Sequence, residues 1–411
     1  MRRILVGLAA LTLLGALTLG GFVVYVKYRG RDVRGSSTIE FVPPRPERGR
    51  PAGSTLAWRT YGFDDRRLRA VAVSALRPPL RRIWTFHGRS LLEFPPAVVG
   101  DRVYLPTFQG RFFALDAATG RAQWQYGSGR CSWGSPAVSG ALVFETFLNR
   151  THKCDNVAID GEVVAFDAVT GHVRWRRVGA PTESSPLVAQ GLVVVGDWSG
   201  RVFALDAATG ARRWSHRTGG AVKSSAALAG GHVYIGSYDG HVYALALQSG
   251  RELWRASAQS RLGGRGAFYA TPAVAYGRVY VGATDGKVYS FGARTGRIRW
   301  SRTTGGYVYA SAAVWRGRVL VGSYDGSFYA FDAATGDTRW HFRANGPISG
   351  AATVVGRVVY FSTLRERTYA LDAGTGRLLW TWPDGKYSPV VTDGRRVYLV
   401  GRGRLYGMVG A

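Results

Sequence analysis

Short apolar stretches alternate with polar positions from about residue 78 to the end of the chain, and most end at a turn dipeptide. In one unit, residues 225–228 form an apolar stretch and residues 232–236 alternate between polar and apolar. Residues 241–245 alternate again after an Asp-Gly dipeptide, which favours a two-residue β-hairpin. A fourth stretch, residues 251–254, follows a turn that contains Gly. The pattern predicts four antiparallel strands per unit.

A tryptophan ends each unit, at intervals that are mostly about 40 residues. A period of this length, built from short strands and tight turns, is typical of a β-propeller. The eight tryptophans are Trp84, Trp124, Trp175, Trp214, Trp254, Trp300, Trp340 and Trp380.

The first and last units are incomplete in complementary ways. Residues 388–408 contain three strands but no outer strand, and residues 80–84 form an outer strand with no blade of its own. Pairing the two would leave no open sheet edge where the termini meet. We therefore predict an all-β, eight-bladed propeller of four-stranded antiparallel blades, with the last blade closed by an N-terminal strand. The seven complete blades begin near Pro95, Ser135, Ser185, Ser225, Thr271, Ser311 and Gly350.

The repeat resembles that of the pyrroloquinoline-quinone (PQQ) dehydrogenase-like propellers. It reads Ser-Pro-x-Val, then Val-Tyr-Val-Gly-x-x-Asp-Gly-x-Val-Tyr-Ala-Leu-Asp-Ala-x-Thr-Gly-x-x-x-Trp, and the resemblance covers residues 78–411. It implies that the eight tryptophans pack between neighbouring blades, and residues 58–64 look like the lead-in segment of such propellers. The fold alone does not decide the function, because one propeller can serve enzymes and binding scaffolds alike.

Enzymes of the family carry vicinal cysteines and a calcium site of Glu, Asn and a catalytic Asp. Here Cys131 and Cys154 are 23 residues apart, and acids such as Asp239, Asp285 and Asp325 occupy hairpin turns. We therefore expect no catalytic residues, no metal site and no cofactor. A quinoprotein-type oxidoreductase that binds PQQ with calcium in the channel mouth is the alternative.

The N-terminal region differs from the repeats. Residues 4–26 contain no charge, and 23 residues are enough to cross a bilayer as a helix. We predict an uncleaved transmembrane signal anchor in residues 1–29, a Pro/Arg-rich tether and lead-in segment in residues 30–77, and the propeller in residues 78–411. A cleaved signal peptide is the alternative, although its apolar core would be shorter. No Cys follows the segment, so no lipoprotein anchor is expected.

Two observations bear on the membrane orientation, and they favour opposite sides of the membrane. More basic residues follow the apolar segment than precede it, which by the positive-inside rule would place the propeller in the cytoplasm. The cysteines and the habit of similar propellers favour a single-pass protein of the cell membrane with its propeller on the extracytoplasmic side. Residues 30–57 are expected to be an extended, mobile tether.

The two cysteines fall in connections that emerge on one face of blade 2. Cys131 precedes the inner strand, and Cys154 lies in an insertion between the second and third strands. A disulfide is sterically plausible and would suit an oxidising compartment; two free thiols are the alternative. A second insertion, near residues 258–266, lies on the same face. Loop elaboration on a rigid scaffold often carries binding, and tolerated drift is the other interpretation.

On that face, the residue two positions before the start of each inner strand is expected to lie at the mouth of the channel. Carboxylates, ammonium groups and aromatic rings could hold a planar, charged small molecule, or neighbouring Glu183 and Lys223 could simply neutralise each other. The series is Glu93, Trp133, Glu183, Lys223, Tyr269, Tyr309, Ile348 and Lys386.

The formal net charge is +28, and five of the 54 basic residues are Lys. The Arg residues are spread over the blades, which favours solvated edges over a nucleic-acid groove. We expect contact with the membrane through residues 4–26, an envelope protein or an anionic polymer as partner, no sequence-specific nucleic-acid binding, and a monomer. A membrane-tethered, non-catalytic binding or assembly scaffold is favoured over an oxidoreductase and over a sensor ectodomain.

Overall fold

The computed structural model describes Gly15, Thr18 and residues 30–44, 55–73, 76–148, 154, 159–261 and 264–410. Its strands form eight four-stranded antiparallel sheets arranged as the blades of a propeller, which confirms the predicted fold. Two short strands outside the blades pair as a hairpin in the second insertion, and one strand of the lead-in segment adds to blade 7.

The strand bounds follow the chain, with each blade listed from the channel outward. Before the first blade lie β1 (Ala70–Val71) and β2 (Leu80–His87). Blade 1 contains β3 (Ala97–Val99), β4 (Arg102–Pro106), β5 (Arg111–Asp116) and β6 (Ala122–Gly127), and blade 2 contains β7 (Ala137–Ser139), β8 (Leu142–Leu148), β9 (Gly161–Asp167) and β10 (Val173–Gly179). Blade 3 contains β11 (Leu187–Ala189), β12 (Leu192–Gly196), β13 (Arg201–Asp206) and β14 (Arg212–Arg217), and blade 4 contains β15 (Ala227–Ala229), β16 (His232–Gly236), β17 (His241–Ala246) and β18 (Glu252–Ser257).

The second half repeats the arrangement. The insertion hairpin is β19 (Ser260–Arg261) and β20 (Gly264–Arg265). Blade 5 contains β21 (Ala273–Ala275), β22 (Arg278–Gly282), β23 (Lys287–Gly292) and β24 (Ile298–Thr303), and blade 6 contains β25 (Ala313–Trp315), β26 (Arg318–Gly322), β27 (Ser327–Asp332) and β28 (Thr338–Arg343). Blade 7 contains β29 (Thr353–Val355), β30 (Val358–Thr363), β31 (Arg367–Asp372) and β32 (Leu378–Trp382), and blade 8 contains β33 (Val390–Thr392), β34 (Val397–Val400) and β35 (Arg404–Gly410), completed by β2.

The burial of each strand follows from its place in the blade. The second and third strands are buried on both faces because a neighbouring blade covers each face; all five residues of β12 are buried. The outer strands have many exposed residues, as in β6 and β28. This is why the second strands are almost continuously apolar while the outer strands alternate.

A tryptophan at each outer strand fastens one blade to the next. The Trp214 indole donates to the Leu247 carbonyl at 2.7 Å, and its ring lies over Gly250. A Cβ at Gly250 would lie 2.4 Å from Trp214 Cε3, and the residue has φ +67°. Gly is therefore needed here both for the backbone conformation and for the close approach of the ring. Six tryptophans donate to a carbonyl of the following blade in this way, namely Trp84, Trp124, Trp175, Trp214, Trp254 and Trp300.

The predicted closure of the ring is confirmed. Strand β2 pairs antiparallel with β35, in a register that runs from Leu80 opposite Gly410 to His87 opposite Arg404. The first strand after the lead-in thus supplies the outer edge of the last blade. No terminal edge of blade 8 is left without a partner strand within the part of the chain described here.

The lead-in segment closes the lower end of the channel. Residues 56–71 run around the axis and hydrogen-bond in turn to the innermost part of all eight blades. The Trp58 and Val98 backbones bond to each other in blade 1, and the Arg66 carbonyl accepts from the Val274 amide in blade 5. Because the contacts lie near the far ends of the inner strands, the segment forms a floor and leaves the opposite end of the channel open.

Two arginines of this floor are buried without a carboxylate partner among the described residues. Arg67 donates to the carbonyls of Ala226, Pro186 and Tyr61 and to the Thr60 hydroxyl. Arg69 lies over the Tyr61 ring, 4.5 Å from its centroid. Carbonyl dipoles therefore replace water around Arg67, and Arg69 donates through Nη1 to the carbonyls of Arg67 and Ala312, so that both side chains bind the floor to the blades.

Residues 30–44 pack against the outer side of blades 5 and 6, contrary to the expected mobile tether. Val33 exchanges hydrogen bonds with Ser301, and the buried Arg278 donates to the carbonyls of Ser36, Ile39 and Glu40. Because these carbonyls satisfy a buried guanidinium, the segment is an ordered strap on the propeller. The remainder of the predicted tether, residues 45–54, lies outside the described residues.

The predicted transmembrane segment, residues 4–26, falls outside the described residues except at Gly15 and Thr18. Among the described residues, we find no helix with the length and apolar character needed to cross a bilayer.

Candidate functional site

Five of the predicted mouth residues line one well at the open end of the channel. They are Glu93, Glu183, Lys223, Tyr269 and Tyr309, and the floor below them is Tyr61. The cavity has a volume of about 50 Å³, room for one or two water molecules. We call this cavity the channel well. Of the other predicted residues, Lys386 lies beside the well, Ile348 is buried in the blade 6–7 core, and Trp133 packs around the disulfide and does not line the well.

One wall of the channel well is built around a lysine. Lys223 Nζ lies 3.4 Å from Glu183 Oε1 and 3.8 Å from the centroid of the Trp198 ring. An ammonium group held by a carboxylate and an indole face has little freedom to move. The structure therefore brings Glu183 and Lys223 into contact, as one of the two sequence interpretations requires.

The two carboxyl groups of the channel well are hard to ionise. Burial raises the pKa of Glu93 to about 7, although the Lys386 charge partly opposes the shift. Burial likewise raises the pKa of Glu183 to about 7, against the opposing effect of Lys223. Each group consequently exchanges a proton near neutral pH, unlike an ordinary exposed carboxylate.

Tyrosines form the adjoining wall and continue onto the outer surface. The rings of Tyr269 and Tyr309 meet edge to face with centroids 5.2 Å apart, and Tyr324 lies 5.1 Å from Tyr309. Tyr307 and Tyr238 extend this cluster outward, with relative exposures of 54% and 38%. The mouth therefore presents an aromatic surface to solvent.

Trp133 belongs to a cluster around the disulfide. Cys131 and Cys154 are joined, as predicted, with Cα atoms 5.6 Å apart. The Trp133 ring stacks on Phe108 at 5.6 Å and lies 6.1 Å from Trp198. The disulfide thus fastens the insertion of blade 2 beside the wall that holds Lys223.

A second set of aromatic residues at the mouth was not predicted from the sequence. Each lies two residues after the end of the second strand of its blade, in the turn that leads to the third strand. The usable signal was an aromatic residue within this short turn, which a purely structural hairpin does not need. The set consists of Phe108, Trp198, Tyr238 and Tyr324.

The aspartates of the Asp-Gly turns have structural partners. Asp239 accepts hydrogen bonds from the Tyr243 hydroxyl and the Gly219 amide, and Asp325 accepts from the Tyr329 hydroxyl and the Gly305 amide. Each carboxylate therefore joins its own hairpin to the connection that precedes it. These acids stabilise the blades and are not aimed at the channel well.

The channel well does not fit PQQ with calcium. Pockets for compact organic ligands usually have about 300 Å³ or more, whereas this well has about 50 Å³ and PQQ is a fused tricyclic quinone. Among the described residues, no cluster of three or more His, Cys, Asp and Glu side chains is placed to hold a metal ion. The disulfide joins residues 23 apart rather than neighbours.

Comparison with known proteins agrees with the repeat and the fold. A family model described as "Outer membrane protein assembly factor BamB" matches residues 70–238, 153–307 and 218–408. The chain belongs to this family. Its PQQ-type propeller repeat is thus shown by the sequence match as well as by the blades.

Relatives fall into two functional groups. BamB of Bordetella pertussis is 30% identical over 161 residues, which cover 38% of this chain and 38% of that protein. Subunit 1 of the methanol dehydrogenase of Paracoccus denitrificans is 31% identical over 171 residues, which cover 33% of this chain and 25% of that protein. The chain thus matches well under half the length of these curated relatives.

The structure of BamB from Moraxella catarrhalis aligns with a TM-score of 0.65 at 20% identity, and covers 81% of this chain and 98% of that one. This likeness concerns the fold.

Proposed function

We propose that the protein is a non-catalytic binding or assembly scaffold of the cell envelope. In this proposal residues 4–26 anchor it in the cell membrane, the propeller lies on the extracytoplasmic side, and an envelope protein binds to the open face of the channel. The observation that carries the proposal is the channel itself, closed below by residues 56–71 and reduced above to a well of about 50 Å³. It offers little room for a substrate, while the face around it is rich in aromatic side chains.

The open face has the features of a protein-binding surface. Tyr and Trp are enriched at the centres of protein interfaces, where a large ring can be buried at low entropic cost. Tyr307 and Tyr238 are the exposed members of the cluster, and the disulfide holds the neighbouring insertion in place. The relatives named as outer membrane assembly factors support a partner of this kind.

Site-specific photocrosslinking in intact membranes tests the proposal. A photoreactive residue in place of Tyr307 should give a defined crosslinked protein. The matched control places the photoreactive residue at Asp101. This residue lies in the turn between β3 and β4, on the face of the propeller opposite the mouth, and its side chain is 70% exposed. Equal capture from both positions, or no capture from Tyr307, would contradict binding at the open face.

The partner and the location need separate measurements. If an anionic polymer rather than a protein is bound, capture should fall steeply with added salt, because the attraction is screened. Protease treatment of spheroplasts should digest the propeller if it lies outside the membrane. Protection from protease until lysis would contradict the proposed orientation.

The similarity to quinone-dependent dehydrogenases supports a second candidate, an oxidoreductase that binds PQQ. Calorimetric titration of the full chain with PQQ and calcium distinguishes the two functions. We expect no saturable heat at micromolar concentrations, because the channel well is too small. Saturable binding would favour the oxidoreductase.

A further inference from the structure

A second cavity lies between blades 2 and 3, away from the channel. It has a volume of about 330 Å³, and its inner wall includes Val163, Phe203 and Leu205. The guanidinium-bearing residues Arg177, Arg201 and Arg212 also line it. We call it the blade 2–3 cleft.

The cleft exists because blade 2 departs from the repeat at two positions. In blade 1, Tyr126 pairs across the sheet with Phe112, and the Tyr126 ring packs 4.9 Å from Phe166 of the next blade. The corresponding pair in blade 2 is Arg177 and Val163. Valine is shorter than phenylalanine, and the arginine side chain turns outward to the Gly210 carbonyl, so the space between the blades stays open.

Aromatic rings occupy this space at most other blade interfaces. The outer-strand rings that pack on the following blade are Phe86 on Phe113, Tyr126 on Phe166, His216 on Tyr243, Phe342 on Tyr369 and Trp382 on Tyr406. The residue at this position is not aromatic in blades 2, 4 and 5, where it is Arg177, Ala256 and Arg302. Between blades 2 and 3 the apolar wall therefore lacks the ring that most other blades supply.

The acidic groups of the cleft are already satisfied. Glu162 pairs with Arg130 at 3.5 Å and with Arg176 at 3.3 Å. Asp197 accepts hydrogen bonds from the Ser199 hydroxyl and the Arg201 amide. Of these two lining carboxylates, Glu162 is therefore paired with arginines outside the lining, and Asp197 is held by donors of its own hairpin.

The arginines that line the cleft are left without such partners. Within the described chain, no carboxylate lies within 4.0 Å of the guanidinium groups of Arg177, Arg201 or Arg212. An apolar wall next to uncompensated guanidinium groups is complementary to an amphipathic anion.

We propose that the blade 2–3 cleft binds a carboxylate carried on a short aliphatic chain. The chain would cover Val163, Phe203 and Leu205, where the aromatic ring is missing, and the carboxylate would be held by the guanidinium groups. A volume near 330 Å³ is at the small end of ligand pockets, which suits a chain of a few carbons. This site is independent of the open face of the channel.

Calorimetry with three probes tests the chemistry on the full chain. Hexanoate should bind with one site per chain and at least tenfold more tightly than acetate, because acetate lacks the apolar part. Hexylammonium, which has the same chain and the opposite charge, should not bind at this site. Equal affinity for hexanoate and acetate, or for hexanoate and hexylammonium, would overturn the proposal.

Two variants test the location. Val163→Phe places the residue of blade 1 into the cleft and should abolish hexanoate binding while the thermal unfolding midpoint stays the same or rises. Arg201→Gln should weaken binding three- to tenfold, whereas Arg111→Gln, at the same repeat position in blade 1, should not. If Val163→Phe fails to fold, the two arginine variants decide. Hexanoate binding that survives a folded Val163→Phe, or that weakens equally in both arginine variants, would refute the site.

Discussion

Carboxyl groups in two parts of the propeller have opposite environments. One group lies in the Asp-x-x-Thr-Gly turns that precede the outer strands, which we call the rim; the other lies in the channel well. At the rim, Asp206 accepts hydrogen bonds from the hydroxyl and amide of Thr209 and from the Ala208 amide, and these lower its pKa. In the channel well, burial raises the pKa of both Glu93 and Glu183 to about 7. The repeated turns therefore satisfy their own charges, whereas the non-repeated residues at the axis are held at an energetic cost. Strained or costly groups that persist in a stable scaffold point to function.

The largest expected effect concerns the closure of the ring. Deleting residues 78–88 removes β2 and exposes the free edge of β35, so we expect aggregation or loss of cooperative unfolding. Deleting residues 31–42, the strap on blades 5 and 6, is the matched control and should only lower the unfolding temperature. Calorimetric melting and size-exclusion chromatography measure both. An unchanged melt after deletion of residues 78–88 would disprove the closure.

A second test compares two neighbouring arginines of the channel floor. Arg67→Met should lower the free energy of unfolding by about 3–5 kcal/mol, because several buried acceptors lose a charged donor. Arg66 lies next to it with a side chain 56% exposed, and Arg66→Met should change the stability by less than about 0.5 kcal/mol. Urea unfolding gives both values. Similar losses in the two variants would mean that the floor contributes no special stability.

A third test separates the cost of backbone strain from the cost of crowding the Trp214 ring. Gly250 and Gly230 both have positive φ, but a Cβ at Gly230 would meet nothing within 4 Å. Gly230→Ala should therefore cost about 1 kcal/mol from strain alone. Gly250→Ala should cost roughly 3 kcal/mol, because the methyl group also displaces the Trp214 ring. If urea unfolding gives the same loss of free energy for both variants, the Trp214 indole moves aside without a measurable cost.

The smallest effect is the pH dependence that distinguishes the well from the rim. The raised pKa of Glu93 and Glu183 means that the fold keeps protons which the unfolded chain releases above about pH 4.5. The stability that these two carboxyls contribute is fully present below that pH. It is lost as the pH rises to about 7, and the free energy of unfolding falls by up to about 3 kcal/mol for each carboxyl. The rim aspartates have lowered pKa values, so their contribution is present above the ordinary value and is lost in acid.

The Glu93→Gln/Glu183→Gln double variant isolates the contribution of the channel well. Its free energy of unfolding should fall less between pH 5 and pH 8 than that of the parent, because the two groups no longer titrate. Asp206→Asn at the rim is the comparison: it should lower stability above about pH 4 and should change the pH dependence only in acid, below about pH 4. Identical slopes for the double variant and the parent between pH 5 and pH 8 would show that these carboxyls are not buried in solution.

Much of the site was predictable where it followed the repeat. The position before each inner strand correctly located Glu93, Glu183 and Lys223 around one axis, because the blades are related by rotation. Trp133 was not brought to that axis, since its ring packs on Phe108 beside the disulfide. The turn aromatics were missed because each turn looked structurally sufficient on its own.

The irregular segments could not be placed from their residues. The course of residues 56–71 across all eight blades and the packing of residues 30–44 on blades 5 and 6 depend on contacts far apart in sequence. Arg67 in the lead-in segment and Arg278 at the start of β22 look like ordinary basic residues in the sequence, yet both are buried against carbonyl groups. The surface on which these segments pack forms only when the ring is complete. No local sequence pattern can therefore specify where they lie.

The sequence by itself determined the number of blades, their strand order and the closing strand, because periodic alternation and turn residues act locally and repeat eight times. The tertiary structure alone decided that the channel is closed from below, that the well is small and its carboxyl groups are hard to ionise, and that a cleft remains between blades 2 and 3. These properties depend on which side chains meet across blades, and burial and missing volume arise only once the ring has formed.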